Sequence, residues 1–115
     1  MSPFKLDLEK QPGSDEAMTI YKATGKLSLE TVNPFIQQLR AETANYVVMD
    51  LSEVSFLDSA GVGALVSLFV SRRNQSKGFA LAALSGQSTA VVTVAGLQNL
   101  LPVYKTVEEA KAKKP

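Results

Sequence analysis

Asp50-Leu51-Ser52-Glu53-Val54-Ser55-Phe56-Leu57-Asp58-Ser59-Ala60-Gly61-Val62-Gly63-Ala64-Leu65 is the stretch on which the reading of the fold turns. The apolar run Tyr46–Met49 enters it, and a second run, Val62–Val70, leaves it. The first has no polar alternation, the pattern of a strand covered on both faces in a parallel sheet. The second is apolar on nearly every side, which predicts a helix buried along much of its surface. Arg72 and Arg73 end it as solvated cations near its negative end. Between the runs lies an acidic, hydroxyl-rich segment. The reading is a strand that ends at Asp50, a loop, and a helix with Asp58-Ser59 at its mouth. A serine so placed is expected in solvent at the positive end of the helix dipole, where added negative charge is tolerated. Ser59 is therefore the first candidate for a functional residue.

Toward the N-terminus, Phe4, Leu6 and Leu8 alternate with Lys5, Asp7 and Glu9, a period of two that predicts a half-buried strand. The turn-rich Gln11-Pro12-Gly13-Ser14-Asp15 reverses the chain. A second strand, Met18–Thr24, pairs with the first as a hairpin and is expected to stop at Gly25. Val32, Phe35, Ile36 and Leu39 then follow the spacing of an amphipathic helix, with Thr31 or Asn33 as cap and Pro34 in the first turn.

Toward the C-terminus, Phe79–Leu84 reads as a central strand and Ser85-Gly86-Gln87 as a loop. Val91-Val92-Thr93-Val94 favours strand by propensity. Ser88 as a cap and Gly96 as a stop favour helix, and helix is the assignment adopted for Ser88–Ala95. Pro102-Val103-Tyr104 predicts a short edge strand, and Thr106 with Glu109 a capping box for a last helix. Such alternation of strands and helices predicts an α/β layer structure. The length of 115 residues predicts a single domain spanning 1–115.

Composition narrows the chemistry. The chain has no cysteine and no histidine. That removes disulfides, thiol nucleophiles, Cys-type zinc sites, imidazole acid–base chemistry and the Ser-His-Asp triad. A formal net charge of +1 gives no reason to expect nucleic acid or an anionic membrane as partner. No apolar run approaches a membrane span, and the N-terminus has no signal-peptide pattern, so a cytoplasmic setting is expected.

The central stretch closely resembles the STAS domains, specifically the stand-alone anti-sigma factor antagonists of bacteria. Their pattern is a strand ending Asp-Leu-Ser, here Asp50-Leu51-Ser52, an apolar turn, and then Asp-Ser-Ser/Ala-Gly-Leu/Val-Gly, here Asp58–Gly63. Weaker matches at Gly25-Lys26-Leu27 with Thr31, at Phe79–Leu84 and at Ala95-Gly96-Leu97 carry the resemblance across nearly the whole chain. It implies a mixed, mostly parallel sheet of four to five strands with helices packed mainly on one face. It also implies that Ser59 accepts a phosphoryl group from a partner that is both anti-sigma factor and serine kinase. A PP2C-type phosphatase would reverse the step. The unphosphorylated form alone would bind the anti-sigma factor and so free the sigma factor. Asp58, Ser59, Ala60, Gly61, Ser28, Thr31, Ser85 and Gly86 form the expected partner surface, with no catalytic residue, metal or cofactor. Ser28 stands where the family often has an acidic residue, and Lys26 where one is common.

Several residues carry a plainer reading beside this one. Outside its motif Ser59 is an ordinary helix cap, and Asp58 serves equally as that cap. Gly61 and Gly63 imply close approach, by a partner or by a neighbouring strand. Ser28 and Thr31 are explained by turn and capping roles, and Ser85-Gly86-Gln87 by a simple connection. Gly61-x-Gly63 is no dinucleotide fingerprint, because Val66 occupies the third position. A serine hydrolase lacks a base unless Lys26 or Lys77 is desolvated. The alternative function is a STAS subunit that docks on the ATPase of a membrane transport complex without phosphorylation.

Overall fold

The structure, a computed structural model, describes residues 5–114; Phe4, the first residue of the alternation above, lies outside them. The elements are β1 (Leu6–Pro12), β2 (Met18–Leu27), α1 (Val32–Arg40), β3 (Tyr46–Leu57), α2 (Ser59–Asn74), β4 (Gly78–Ala82), α3 (Gly86–Ala95), a 3-10 turn (Leu97–Asn99), β5 (Val103–Tyr104) and α4 (Val107–Ala112). They form one five-stranded sheet in the order β1-β2-β3-β4-β5. β1 and β2 are the antiparallel hairpin, and every other neighbouring pair is parallel. The architecture is the mixed, mostly parallel α/β sheet expected.

Side-chain alternation divides the sheet's two faces. Val47, Met49, Phe79 and Leu81 meet Phe35, Leu39, Leu65, Leu68 and Val92, so α1, α2 and α3 cover one face. Tyr46, Val48, Ala80 and Ala82 point the other way and are covered by Ala110 and Val107 of α4. The Tyr46 hydroxyl donates to the Ala110 carbonyl at 2.7 Å, which pins α4 in place. The central strand is thus buried on both faces, as its unbroken apolar run requires.

Four boundaries differ from the sequence reading. β3 does not end at Asp50 but runs on through Leu57. Against β2 it carries an extra residue between Asp50 and Glu53 and another between Val54 and Phe56. Each bulge advances the strand one residue without advancing its partner. Leu51, Val54 and Leu57 are buried while the residues between them are not, so the strand keeps one face inward at a spacing of three. β2 likewise passes Gly25, whose φ of +116° and missing Cβ let Lys5, the residue before β1, approach. A Cβ there would lie 2.2 Å from the Lys5 carbonyl oxygen, and the next amide, Lys26 N–H, donates to that oxygen at 2.9 Å.

β4 stops at Ala82, two residues short of Leu84, because Ala83 adopts a left-handed conformation (φ 57°). α3 begins at Gly86 with Ser85 as its cap. The predicted cap, Ser88, is instead a buried residue of the first turn whose N–H donates to Ser85 Oγ. Gly96, left-handed at φ 72°, ends the helix as expected.

The opposite end of the sheet holds a polar cluster around the buried Glu42. Tyr21 Oη donates to Glu42 Oε1 at 2.6 Å, Lys10 Nζ lies 2.9 Å from the same oxygen, and Ala44 N–H donates to Oε2 at 2.7 Å. Arg72, expected in solvent, is buried here; its guanidinium donates to the carbonyls of Gly78 and Ala44. Arg73 is the exposed member of the pair and lies over the Phe69 ring.

Candidate functional site

The parallel strands bring the β2–α1, β3–α2 and β4–α3 connections to one end of the sheet, where ligand and partner sites of open α/β sheets gather. Asp58 is the cap of α2, in extended backbone just before the first helical residue. Its Oδ1 accepts the Gly61 N–H at 2.9 Å and its Oδ2 accepts the Leu29 N–H at 3.1 Å. One carboxylate therefore closes the helix start and ties the β2–α1 turn to it.

Asp58 resolves the ambiguity over the cap and leaves Ser59 free. Ser59 is the first residue of α2 and is exposed. Among the described residues its hydroxyl has no hydrogen-bond partner. It stands at the N-terminus of a 16-residue helix, whose unsatisfied N–H groups and dipole favour an anion. Its side chain borders an open apolar groove of about 400 Å³ between α2 and α3, lined also by Val62, Ala90, Val91, Val94 and Ala95. Val94 is 91% exposed and, beyond the cap on the other side, Leu29 is 69% exposed. A neutral hydroxyl thus sits in a mostly apolar surface.

The other expected contact residues divide. Ala60 is half-buried and Gly86 exposed, the one next to Ser59 in sequence and the other at the start of α3. Ser28 and Thr31 are only 1% and 7% exposed, which corrects their placement on the surface. Thr31 Oγ1 accepts the Ser28 N–H at 3.0 Å and donates to the Lys26 carbonyl at 2.8 Å, so it is spent inside the turn. Ser28 Oγ donates to Glu30 Oε2 at 2.9 Å, and the acidic group of this turn is therefore Glu30. Gly61 is also buried: a Cβ would lie 2.4 Å from the Leu27 carbonyl oxygen and 2.7 Å from Leu57 Cδ1. The close approach it permits is internal. A Cβ on Gly63 would meet nothing within 4 Å, so that position faces open space.

Ser85 has a structural task as well. Its Oγ donates to the Val54 carbonyl at 2.8 Å while capping α3. Two residues on, Gln87 makes a pair of bonds that nothing in the sequence signals. Its Oε1 accepts the Leu57 N–H at 2.9 Å, and its Nε2 donates to the Leu57 carbonyl at 3.1 Å. A glutamine beside a loop serine carries no spacing or pattern that points to a strand edge thirty residues away.

Among the described residues no group of three or more acidic side chains gathers that could hold a metal ion, and no helix is long and apolar enough to cross a membrane.

The STAS domain family model matches residues 5–110. Among solved structures the chain is similar to an anti-sigma factor antagonist from Mycobacterium paratuberculosis, with a TM-score of 0.84 and 21% identity over 96% of this chain and 95% of that one. It is similar to the anti-sigma factor antagonist SpoIIAA in its unphosphorylated form, with a TM-score of 0.73 and 18% identity over 90% and 92% of the two chains. It is also similar to a sulfate transporter family protein from Wolinella succinogenes, with a TM-score of 0.75 and 18% identity over 85% and 84%. At these identities the likeness establishes the fold.

Proposed function

The chain belongs to the STAS domain family, and from that premise we propose that it is an anti-sigma factor antagonist switched by phosphorylation of Ser59. In this reading it acts by binding and not by catalysis, in the cytoplasm. The unphosphorylated form binds an anti-sigma factor that is also a serine kinase, and so releases the sigma factor. Phosphorylation ends the binding, and a PP2C-type phosphatase restores it. The observation that carries the reading is the Ser59 hydroxyl: exposed, unengaged by any described residue, and one position inside a helix already capped by Asp58. The likeness to two proteins named as anti-sigma factor antagonists, one of them described in an unphosphorylated form, supports it.

The switch follows from electrostatics at an apolar surface. A phosphoryl group adds about −1.5 to −2 charges. The N-terminus of α2 tolerates that charge, so the fold is retained. A partner packed over Val62, Val91 and Val94 would have to bury the dianion beside the Asp58 carboxylate, at a cost of several kcal/mol if it is unpaired. A loss of about 3 kcal/mol already weakens a complex more than a hundredfold.

The test is binding of wild type, Ser59→Ala and Ser59→Asp to a recombinant anti-sigma factor kinase, with phosphate-affinity gels run after addition of ATP. Retention by alanine, loss by aspartate and a gel shift absent from S59A are expected. Equal binding by all three, with no shift of the wild type, sinks the proposal.

The likeness to a sulfate transporter family protein favours a second reading, a STAS subunit of a membrane transport complex, for which docking on the ATPase of that complex is the form proposed. It predicts co-purification of such an ATPase with wild type and S59D alike.

A further inference from the structure

β3 outruns its neighbour. β4 pairs with it only from Tyr46 to Asp50, whereas β2 follows the other edge as far as Leu57. From Leu51 onward no strand among the described residues pairs with the β4-side edge, but three of its backbone groups are engaged by side chains. Ser85 Oγ donates to the Val54 carbonyl, and the Gln87 amide binds both the N–H and the carbonyl of Leu57. A primary amide carries an acceptor and a donor in one plane, so it reproduces the two-bond pairing that a neighbouring strand would give. The first turn of α3 thereby continues the sheet where β4 stops.

Leu57 is the residue before Asp58 and two before Ser59. We infer that Gln87 is a positioning residue for the acceptor turn: its amide fixes the Leu57 backbone, and so holds the Ser59 hydroxyl over the N-terminus of α2. The inference rests on Ser59 being the functional hydroxyl and goes beyond that reading, because it makes α3 part of the acceptor's setting. The same helix supplies Ala90, Val91, Val94 and Ala95 to the groove beside Ser59, so a protein seated in the groove contacts the element that sets the acceptor's position.

The absence of cysteine permits a test that needs no kinase. S59C places the chain's sole thiol at the site, and a thiol at a helix N-terminus ionises below the ordinary value of about 8.5. The pH profile of its alkylation by iodoacetamide reports whether it still sits over the helix end. With Q87A added, the apparent pKa is expected to rise, and Leu57 amide exchange, followed by NMR, to quicken about tenfold. Q87E keeps an acceptor for the Leu57 N–H but sets an anion against the Leu57 carbonyl, and is expected to raise the pKa further. Exchange at Val48, where β3 is paired on both edges, is expected to stay unchanged and so excludes a global effect.

S85A is the control, since it loses the α3 cap and the Val54 bond but leaves the Leu57 pair. If S85A shifts the thiol pKa and Leu57 exchange as far as Q87A does, or if Q87A shifts neither, the inference is overturned. In a second arm, a recombinant anti-sigma factor kinase with ATP is expected to phosphorylate Q87A with kcat/KM about tenfold below wild type. If that kinase leaves the wild type unphosphorylated, the acceptor reading fails, while the thiol and amide measurements still decide the role of Gln87.

Discussion

Asp58 and Leu29, twenty-nine positions apart in sequence, are joined by a 3.1 Å hydrogen bond from the Leu29 N–H to Asp58 Oδ2. The second oxygen of the same carboxylate holds the Gly61 N–H, so the β2–α1 turn and the start of α2 share one anchor. Replacing Asp58 by alanine removes a helix cap and a charge-assisted bond together. The expected loss is about 2 kcal/mol, read from the midpoint of urea unfolding at unchanged slope. D58N can accept from only one of the two N–H groups, because its amide nitrogen would face the other, and is expected to lose about half as much. Wild-type stability in D58A would show that neither bond contributes.

The two glycines near the start of α2 should respond oppositely to the same change. Gly61→Ala would drive a methyl to 2.4 Å from the Leu27 carbonyl oxygen, which is backbone and cannot swing aside. A loss of about 2 kcal/mol is expected despite alanine's better helix propensity. Gly63→Ala meets nothing within 4 Å and should gain up to about 1 kcal/mol. Thermal unfolding of the two variants separates them, and a stabilised G61A would contradict the packing described for Leu27 and Leu57.

How far the chain could be read before folding depended on whether the signal was local. The faces of α1, the cap at Thr106 and the stop at Gly96 were legible because each is a short-range pattern with its own chemistry. The far half of β3 was not. Its buried Leu51, Val54 and Leu57 recur every third residue, because two bulges add a residue each, and a period of three matches neither strand nor helix. Val91-Val92-Thr93-Val94 has strand propensity, yet caps at both ends make it helix. Arg72 reads as a helix-end cation, and only the tertiary structure brings the carbonyls of Gly78 and Ala44 to it. Of the candidate site, the central Asp58-Ser59 motif was legible. That Ser28 and Thr31 turn inward, and that Gln87 reaches Leu57, depends on contacts made across the sheet.

At the opposite end of the fold, Glu42 contributes a sensitivity to acid. Burial alone would raise its pKa, but hydrogen bonds from Tyr21 and the Ala44 N–H, with Lys10 beside it, outweigh burial and bring it down from 4.5 to about 2. The folded state therefore binds fewer protons than the unfolded one between those values, and stability rises with pH across that window. Glu42's contribution is complete above about pH 4.5 and is lost as pH falls toward 2. Its size is on the order of 3 kcal/mol. Urea midpoints measured from pH 6 to pH 2.5 should fall steeply in wild type and less in Glu42→Gln, which starts lower and has no proton to take up. Parallel curves would assign the acid sensitivity to other carboxylates.

Val94 separates the partner surface from the fold. It is 91% exposed on α3, so its side chain contributes little to the core, and it lines the groove that Ser59 and Val62 border from α2. Lysine at this position leaves the helix intact, and the unfolding midpoint of Val94→Lys should match wild type to within about 0.5 kcal/mol. If the anti-sigma factor packs into the groove, as the switch at Ser59 requires, the same lysine must be buried or must hold the surfaces apart. Affinity measured by titration calorimetry should then fall at least about tenfold, with V94A in between. Ser59→Asp and V94K combined should weaken binding by less than the product of their separate effects, since both act on one contact. Full binding by V94K would place the partner on the Leu29 side of the Asp58 anchor and leave the groove open in the complex.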